Sequence, residues 1–283
     1  MSASPHNPRP VIGLLPAAGQ GSRVSPLPCS KEVLPVGVQA LDGHAGPRVR
    51  VVSQFLLEAY RRAGVAQAYW LLREGKWDIP AYWTDGAAVG VDLGYLLATQ
   101  WQYGPPFTLD QAYPFVRDAT VVVGFPDLFF TPLDAFDQLI DALRTTDSDV
   151  MLGVFPTDAP ETADVVAVAP DGRIEALHVK PHGETLATAW IIAAWQPRFT
   201  EWMHARAQSL LAAEGDGSLD RERHLGHFIR AALADGLDVR GTTFPDGAFL
   251  DVGTPDALRH VLQASSLEQA LHDRPPHPAR PAP

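Results

Sequence analysis

Val11-Ile-Gly-Leu-Leu-Pro-Ala-Ala-Gly-Gln-Gly-Ser-Arg-Val-Ser-Pro-Leu-Pro-Cys-Ser-Lys-Glu-Val-Leu-Pro-Val-Gly37 is the stretch that decides how the rest of the chain is read. Its first residues, Val11 to Leu15, form a short, branched apolar run that reads as a buried β-strand. The run breaks at Pro16 into a loop of small residues: Ala17, Ala18, Gly19, Gln20, Gly21 and Ser22. Without bulky side chains, such a loop lets backbone N–H groups approach an anion closely, and glycine supplies the positive φ angles that an anion nest requires. Arg23 adds a planar fork matched to phosphate oxygens, and Lys31 adds a point charge. Strand, glycine loop, Arg and Lys together read as a polyphosphate cradle.

Two other phosphate loops fail on residues. A dinucleotide-binding turn needs G-x-G-x-x-G, but the third glycine position is Val24. A P-loop needs Gly-Lys followed by Ser or Thr, and the cradle contains no Gly-Lys pair. A plain glycine turn after a strand would not call for Arg23 and Lys31.

The chain has 283 residues, 46% of them hydrophobic, enough for a large core and one or two domains. No apolar run is long enough to span a bilayer, so no membrane association is expected. Met1 to Pro10 lacks an apolar segment and does not read as a signal peptide. Cys29 is the sole cysteine; it reads as a small filler, and a reducing cytoplasm is the expected setting. A net charge of −11 argues against nucleic acid as a partner, because phosphate backbones demand a basic face. The cations instead concentrate near the cradle: Arg23, Lys31, Arg48 and Arg50. There are only three lysines, Lys31, Lys76 and Lys180, so each is informative.

Residues 1–10 and 273–283 are Pro-rich and read as mobile tails. Between them, strands are expected at 11–15, 66–72, 89–98, 119–124 and 149–155, with helices at 51–63 and 133–143. That alternation indicates an α/β fold with a Rossmann-like, doubly wound, mainly parallel sheet. After residue 155 the pattern changes. A hairpin over 165–179 turns at Pro170-Asp171-Gly172-Arg173, and 188–195 is a further strand, which suggests a small antiparallel lobe sharing the sheet. Helices at 197–213 and 221–233 and strands at 239–244 and 248–252 follow, with Thr254 and Pro255 as N-cap and first residue of a terminal helix. Residues 11–265 read as one domain in two parts, 11–155 and 156–265, with 266–283 a helix end and tail.

P-A-A-G-Q-G-S-R and S-K-E-V-L-P-V resemble the signature of the sugar-1-phosphate nucleotidyltransferases, in particular the glucose-1-phosphate uridylyl- and thymidylyltransferase branches. Arg23 and Lys31 stand closer together than in those branches. The resemblance runs over roughly residues 11–265 and implies the nucleotide-diphospho-sugar transferase fold. It makes Arg23 and Lys31 catalytic and residues 17–23 nucleotide-binding. G-F-P-D at Gly124 to Asp127 is similar to the family's L-G-D-N, and F-L-D-V-G-T-P at Phe249 to Pro255 to its W-L-D-T-G-T-P. Asp127 and Asp251 are thereby implied as ligands of a catalytic Mg²⁺, Asp127 also facing the nucleotide. Q-W-Q-Y-G-P-P-F-T-L-D-Q-A sits where relatives read the base with a Gln and a close-approach Gly. Gln102 or Tyr103 is placed to approach the base, Gln102 being the nucleotide-binding candidate, and Thr108 stands where that Gly would be. H-V-K-P-H resembles the family's E-K-P, which implies that Lys180 contacts the sugar phosphate, while Val179 replaces the Glu that holds sugar hydroxyls. A Val there presents an uncharged wall, and the expectation is a deoxygenated or otherwise modified sugar, or no selectivity at that hydroxyl pair, unless Glu184, Thr185 or Gln196 supplies an acceptor.

The function implied is Mg²⁺-dependent joining of an NTP, dTTP or UTP, to a sugar-1-phosphate with release of pyrophosphate, in a protein for which a homo-oligomer is compatible. The rival class is a nucleotide-sugar-binding or regulatory protein that keeps the fold without turnover. The departures at Thr108, Val179 and G-F-P-D motivate it. Arg23, Lys31, Asp127 and Asp251 speak for the enzyme.

Overall fold

The computed structural model describes residues 9–40, 46–183, 186–213, 222–264 and 266–273. β1 (Val11–Pro16) lies in the middle of the sheet, with its interior residues buried. The chain then passes the cradle, forms the hairpin β2 (Pro35–Ala40) and β3 (Pro47–Val51), and enters α1 (Gln54–Arg62). β4 (Gln67–Leu72), α2 (Asp78–Trp83), β5 (Asp92–Leu97), α3 (Pro105–Asp110), α4 (Tyr113–Val116) and β6 (Thr120–Val123) complete the parallel part. Its order is β5-β4-β1-β6, with every neighbouring pair parallel.

β7 (Leu128–Thr131), α5 (Ala135–Thr146), β8 (Val150–Pro156), β9 (Asp164–Val168), β10 (Ile174–Val179) and β11 (Thr188–Trp195) follow. β11 is the pivot of the second half. It runs antiparallel between β6 and β8, while its first residues touch β9 of the β9–β10 hairpin. The antiparallel lobe therefore shares the main sheet, as the change of pattern after residue 155 predicts. α6 (Pro197–Ala213), α7 (Leu225–Ala234) and β12 (Val239–Thr243) come next, and β12 adds in parallel beyond β8. β13 (Ala248–Asp251) pairs with β7 in a separate two-stranded sheet, and α8 (Pro255–Gln263) and α9 (Leu267–His272) close the described chain.

Strand alternation sends successive residues to opposite faces of the sheet. Leu15 and Val122 pack on one face with Leu56, Tyr60 and Phe136, while Leu14, Val121 and Val123 pack on the other with Phe107, Phe199 and Phe228. A third cluster, with Phe55, Phe129, Leu250 and Val261, lies under the β7–β13 pair. Gly13 shows why β1 tolerates a glycine: a Cβ there would sit 2.6 Å from the Tyr60 ring. Among the described residues, no helix is long and apolar enough to cross a membrane.

Two expectations change. The segment from 89 becomes a strand only at Asp92, after a turn at Gly86 to Val91. The helix expected from Val51 begins at Gln54, because Val51 still pairs with Pro35 in the hairpin. The aromatic segment around Pro80 is helical, burying Ile79 and Trp83 and leaving Tyr82 exposed. The tails at 1–8 and 274–283 lie outside the described residues.

The buried Tyr60 hydroxyl donates to the Leu14 carbonyl and accepts from the Gly124 N–H, both at 2.8 Å. Tyr60→Phe strands both backbone groups and is expected to lower unfolding free energy by about 1–3 kcal/mol, read from the denaturant midpoint at unchanged m-value.

Candidate active site

The cradle hangs from the C-terminal end of β1, the end at which open α/β sheets bind ligands. Ala17 spends its N–H on the Leu71 carbonyl, so it anchors the loop and leaves contact to the residues after it. Ala18 is buried, Gly19 and Gln20 are exposed, and Gly21 adopts φ +65°. The Gly21 carbonyl accepts from the N–H groups of Val24 and Ser25 and from the Ser25 hydroxyl, which folds the loop into a tight turn. Among the described residues, the backbone N–H groups of Ala18 to Arg23 have no partner. A Cβ on Gly19 would meet nothing within 4 Å, so no packing inside the chain demands that glycine. A row of free N–H donors on a loop open to close approach suits an anion.

Two carboxylates face the cradle. Asp127 follows β6 and opens β7, Asp251 ends β13, and β7 and β13 pair with Asp251 opposite Leu128. The Val252 N–H donates to the Asp127 carbonyl, which continues the ladder to the aspartates themselves. Lys31 pairs with Asp127, and the Arg23 guanidinium reaches Asp251 at 3.0 Å. The two pairs differ in setting. Lys31 and Asp127 side chains are 17% and 14% exposed, whereas Arg23 is 60% exposed.

Burial alone would lower the Lys31 pKa, but Asp127, Glu32 and Asp251 outweigh it and raise it to about 12. Burial likewise pushes the Asp127 carboxyl up, and the charge and hydrogen bond of Lys31 hold it below its ordinary value. Four charges thus meet at one place.

The donor set fits Mg²⁺. Two hard carboxylate oxygen ligands on paired strands, with substrate phosphates and water for the remaining positions, is the usual way that ion is held. Among the described residues no group of three or more His, Cys, Asp or Glu could hold a metal.

Beside the cradle opens a cavity of about 430 Å³, lined by Gly21, Cys29, Lys31, Arg73 and Lys76. Arg73 and Lys76 are not evident from the sequence motifs. Arg73 lies over the Trp101 ring at 5.8 Å, and its Nε is buried without a partner. Lys76 donates to both oxygens of Glu32, a residue 1% exposed, at 2.8 and 2.9 Å. Asp78 binds the Ser30 N–H and hydroxyl, fixing the turn on which Lys31 stands. Burial, then Asp78 and Glu32, push the Cys29 thiol up, consistent with a filler role. Arg50 is committed elsewhere, paired with Glu58 and lying over the Phe55 ring at 3.6 Å. The Arg48 side chain lies outside the described residues.

The base-reading segment is arranged differently from the motif. Thr108 is buried inside α3 with its hydroxyl on the Gly104 carbonyl, so it is no close-approach position. The glycine that precedes α3 is Gly104, at φ +106°, and a Cβ there would lie 2.2 Å from the Arg223 carbonyl. Tyr103 is tied to Arg223 and the Phe107 ring, whereas Gln102 is exposed. Asp110 is buried against His204 and Gln208 of α6, a packing role.

Lys180 ends the β9–β10 hairpin at φ +41°. Val179 lies directly across from Asp164 in the hairpin register, so a carboxylate stands opposite the residue that lacks one. Gln196 is no substitute: it follows the far end of β11 and accepts from Arg9. Glu184 and Thr185 lie outside the described residues.

No protein-family profile matches the chain, and no curated protein sequence does. Solved structures do. A Bacillus anthracis protein assigned as a glucose-1-phosphate thymidylyltransferase, solved with a sucrose, aligns with a TM-score of 0.72 at 18% identity over 89% of this chain and 94% of its own. The fold is theirs in common. A UDP-glucose pyrophosphorylase complexed with UDP-glucose aligns at 0.70 and 16% identity over 89% of this chain and 97% of its own. The inositol-1-phosphate CTP transferase of T. maritima aligns at 0.65 and 17% over 93% and 95%. The chain therefore shares the fold of all three, nearly end to end.

The two ion pairs carry different energetic weight. Lys31→Ala leaves Asp127 largely buried and unpaired and is expected to cost roughly 3 kcal/mol, while Arg23→Ala removes a screened pair worth at most about 1 kcal/mol. Denaturant titrations at pH 7 separate the two variants. Because the folded Asp127 pKa is depressed, its contribution is present above 3.8 and lost as pH falls below that value, and Lys31→Ala is expected to lack that acid limb.

Proposed function

We propose that the protein is a nucleotidyltransferase that joins an NTP, dTTP or UTP, to a sugar-1-phosphate and releases pyrophosphate. The observation that carries this reading is the meeting of free loop N–H groups, two cations and two carboxylates at the C-terminal end of β1 and β6, on a fold shared with such enzymes.

In this reaction a sugar-phosphate oxygen attacks the α-phosphorus in line; the new P–O bond forms as the bond to pyrophosphate breaks. Such transfers depend on positioning and charge neutralisation more than on covalent catalysis. Residues 18–23 would hold the leaving pyrophosphate through backbone N–H groups and the exposed Arg23 guanidinium. Lys31, cationic through the whole working pH range, would neutralise the α-phosphate and the incoming phosphate. Lys180 would receive the sugar phosphate, and exposed Gln102 the base edge. Asp127 and Asp251 would hold Mg²⁺, which supplies Lewis-acid neutralisation of phosphate oxygens when bound. A bound polyphosphate competes with the two aspartates for Arg23 and Lys31, and so frees the carboxylates as it delivers its own oxygens.

Pyrophosphate release measured with each NTP, Mg²⁺ and a panel of sugar-1-phosphates tests this reading. Turnover with at least one pair is expected, lost on chelation of the metal and weakened by Asp127→Asn or Asp251→Asn. Arg23→Ala is expected to lower turnover by ~10²–10³, the cost of one transition-state charge contact of about 2.7–4 kcal/mol. Nucleotide-sugar binding without turnover for any pair would establish the binding-protein alternative instead.

A further inference from the structure

Asp164 is a carboxylate that no sequence motif singles out. It opens β9 and pairs with Val179 across the hairpin, where directly opposed side chains share a face. The backbone N–H groups of Gly226 and Lys180 lie near its carboxylate and favour its charged form. Gly226 is the second residue of α7, so its N–H has no partner within the helix and needs one from outside. A Cβ on Gly226 would lie 2.3 Å from Asp164 Oδ2 and 3.1 Å from Val179 Cγ2, so the helix reaches the carboxylate only with glycine there.

The approach to Lys180 is the more telling one. Lys180 is a non-glycine residue at φ +41°, a conformation that persists only where its surroundings fix it. Asp164 supplies that fixation one residue beyond its own cross-strand partner. The remaining oxygen, Oδ1, is buried without a partner, as is Nε1 of Trp190, which turns toward the same carboxylate. Trp190 in turn packs on Phe125 with ring centroids 6.2 Å apart, two residues before Asp127. The clamp is thus continuous with the metal end of the site.

We propose that Asp164 is the positioning residue of the sugar-phosphate end, holding the Lys180 backbone and the first turn of α7 together so that Lys180 starts from a fixed point. The proposal rests on Lys180 being the sugar-phosphate contact. A bare helix cap would account for the Gly226 bond alone; the left-handed lysine is what a cap leaves unexplained. Burial pushes the Asp164 carboxyl up to about 6, against the opposing charge of Lys180. The charged or titratable groups at the start of α7, beside Gly226, are Arg223, His224, His227 and Arg230.

Two arms test this. In the first, Asp164→Ala is expected to raise KM for the sugar-1-phosphate about tenfold while KM for the NTP stays within about twofold, with Asp164→Asn, which keeps an acceptor, recovering most of the loss. In a Lys180→Ala background Asp164→Ala is expected to add nothing, since it acts through Lys180. Additive effects, or equal shifts in both KM values, overturn the proposal. In the second arm, the amide proton shifts of Lys180 and Gly226 in the full-length protein are followed by NMR between pH 4 and 8. Both are expected to titrate with a midpoint near 6 in the wild type and not in Asp164→Asn; titration that survives in that variant reports His227 and overturns the clamp. A wild type that turns over no substrate pair sinks the functional reading, and the amide arm still decides whether the clamp exists.

Discussion

One hydroxyl aligns the two strand ends that make the site. Tyr60, on α1, reaches through the face of the sheet to bond the Leu14 carbonyl and the Gly124 N–H. Leu14 leads into the cradle and Gly124 into Asp127, so a single buried group sets the relative depth of the anion loop and the first carboxylate. The requirement reaches into the sequence: Gly13 is a glycine because the Tyr60 ring occupies the space a Cβ would take. Burial holds the Tyr60 phenol far above its ordinary pKa, so the contact stays intact across the pH range in which proteins fold.

Around that alignment the charges are layered. Arg23 and Asp251 lie outermost, Lys31 and Asp127 beneath them, and Glu32 and Lys76 deepest. Buried pairs contribute little net stability against desolvation, but they fix geometry, because either partner alone would be costly. Glu32 is the neighbour of Lys31, and its carbonyl also accepts from Ser53. The inner pair therefore ties the lysine's turn to α1 and to the cavity wall. Burial draws the Lys76 ammonium's pKa down, with Glu32 opposing, which makes it the more easily neutralised of the two lysines.

Much of this was legible from local pattern. The branched run of β1, the loop of small residues after it, the run at β6 and the Thr254–Pro255 helix start depend on neighbours in sequence, and Thr254 does cap α8 through the Ala257 N–H. α6 and β11 also fall at the residues their periodicity marks. What escaped depends on partners far along the chain. The β2–β3 hairpin and the β7–β13 pair are short, and their hydrogen bonds cannot be inferred from either strand alone. Thr108 looked like a lost close-approach glycine, yet the backbone places Gly104 at the tight position and packs Thr108 inside α3. Asp164 has no motif; only the hairpin register reveals that a carboxylate stands across from Val179.

The β7–β13 pair has a consequence for how such a molecule can change. It joins residues on either side of the entire lobe-forming segment, from α5 through β12, and returns the chain to its own starting edge. Everything between is a closed excursion pinned at its base. Insertions, deletions and rebuilt loops within that excursion leave the two aspartates in register, because a slip of one residue at the clasp would turn Asp251 to the opposite face. The excursion is thereby free to drift while the clasp stays put, a division imposed by two four-residue strands.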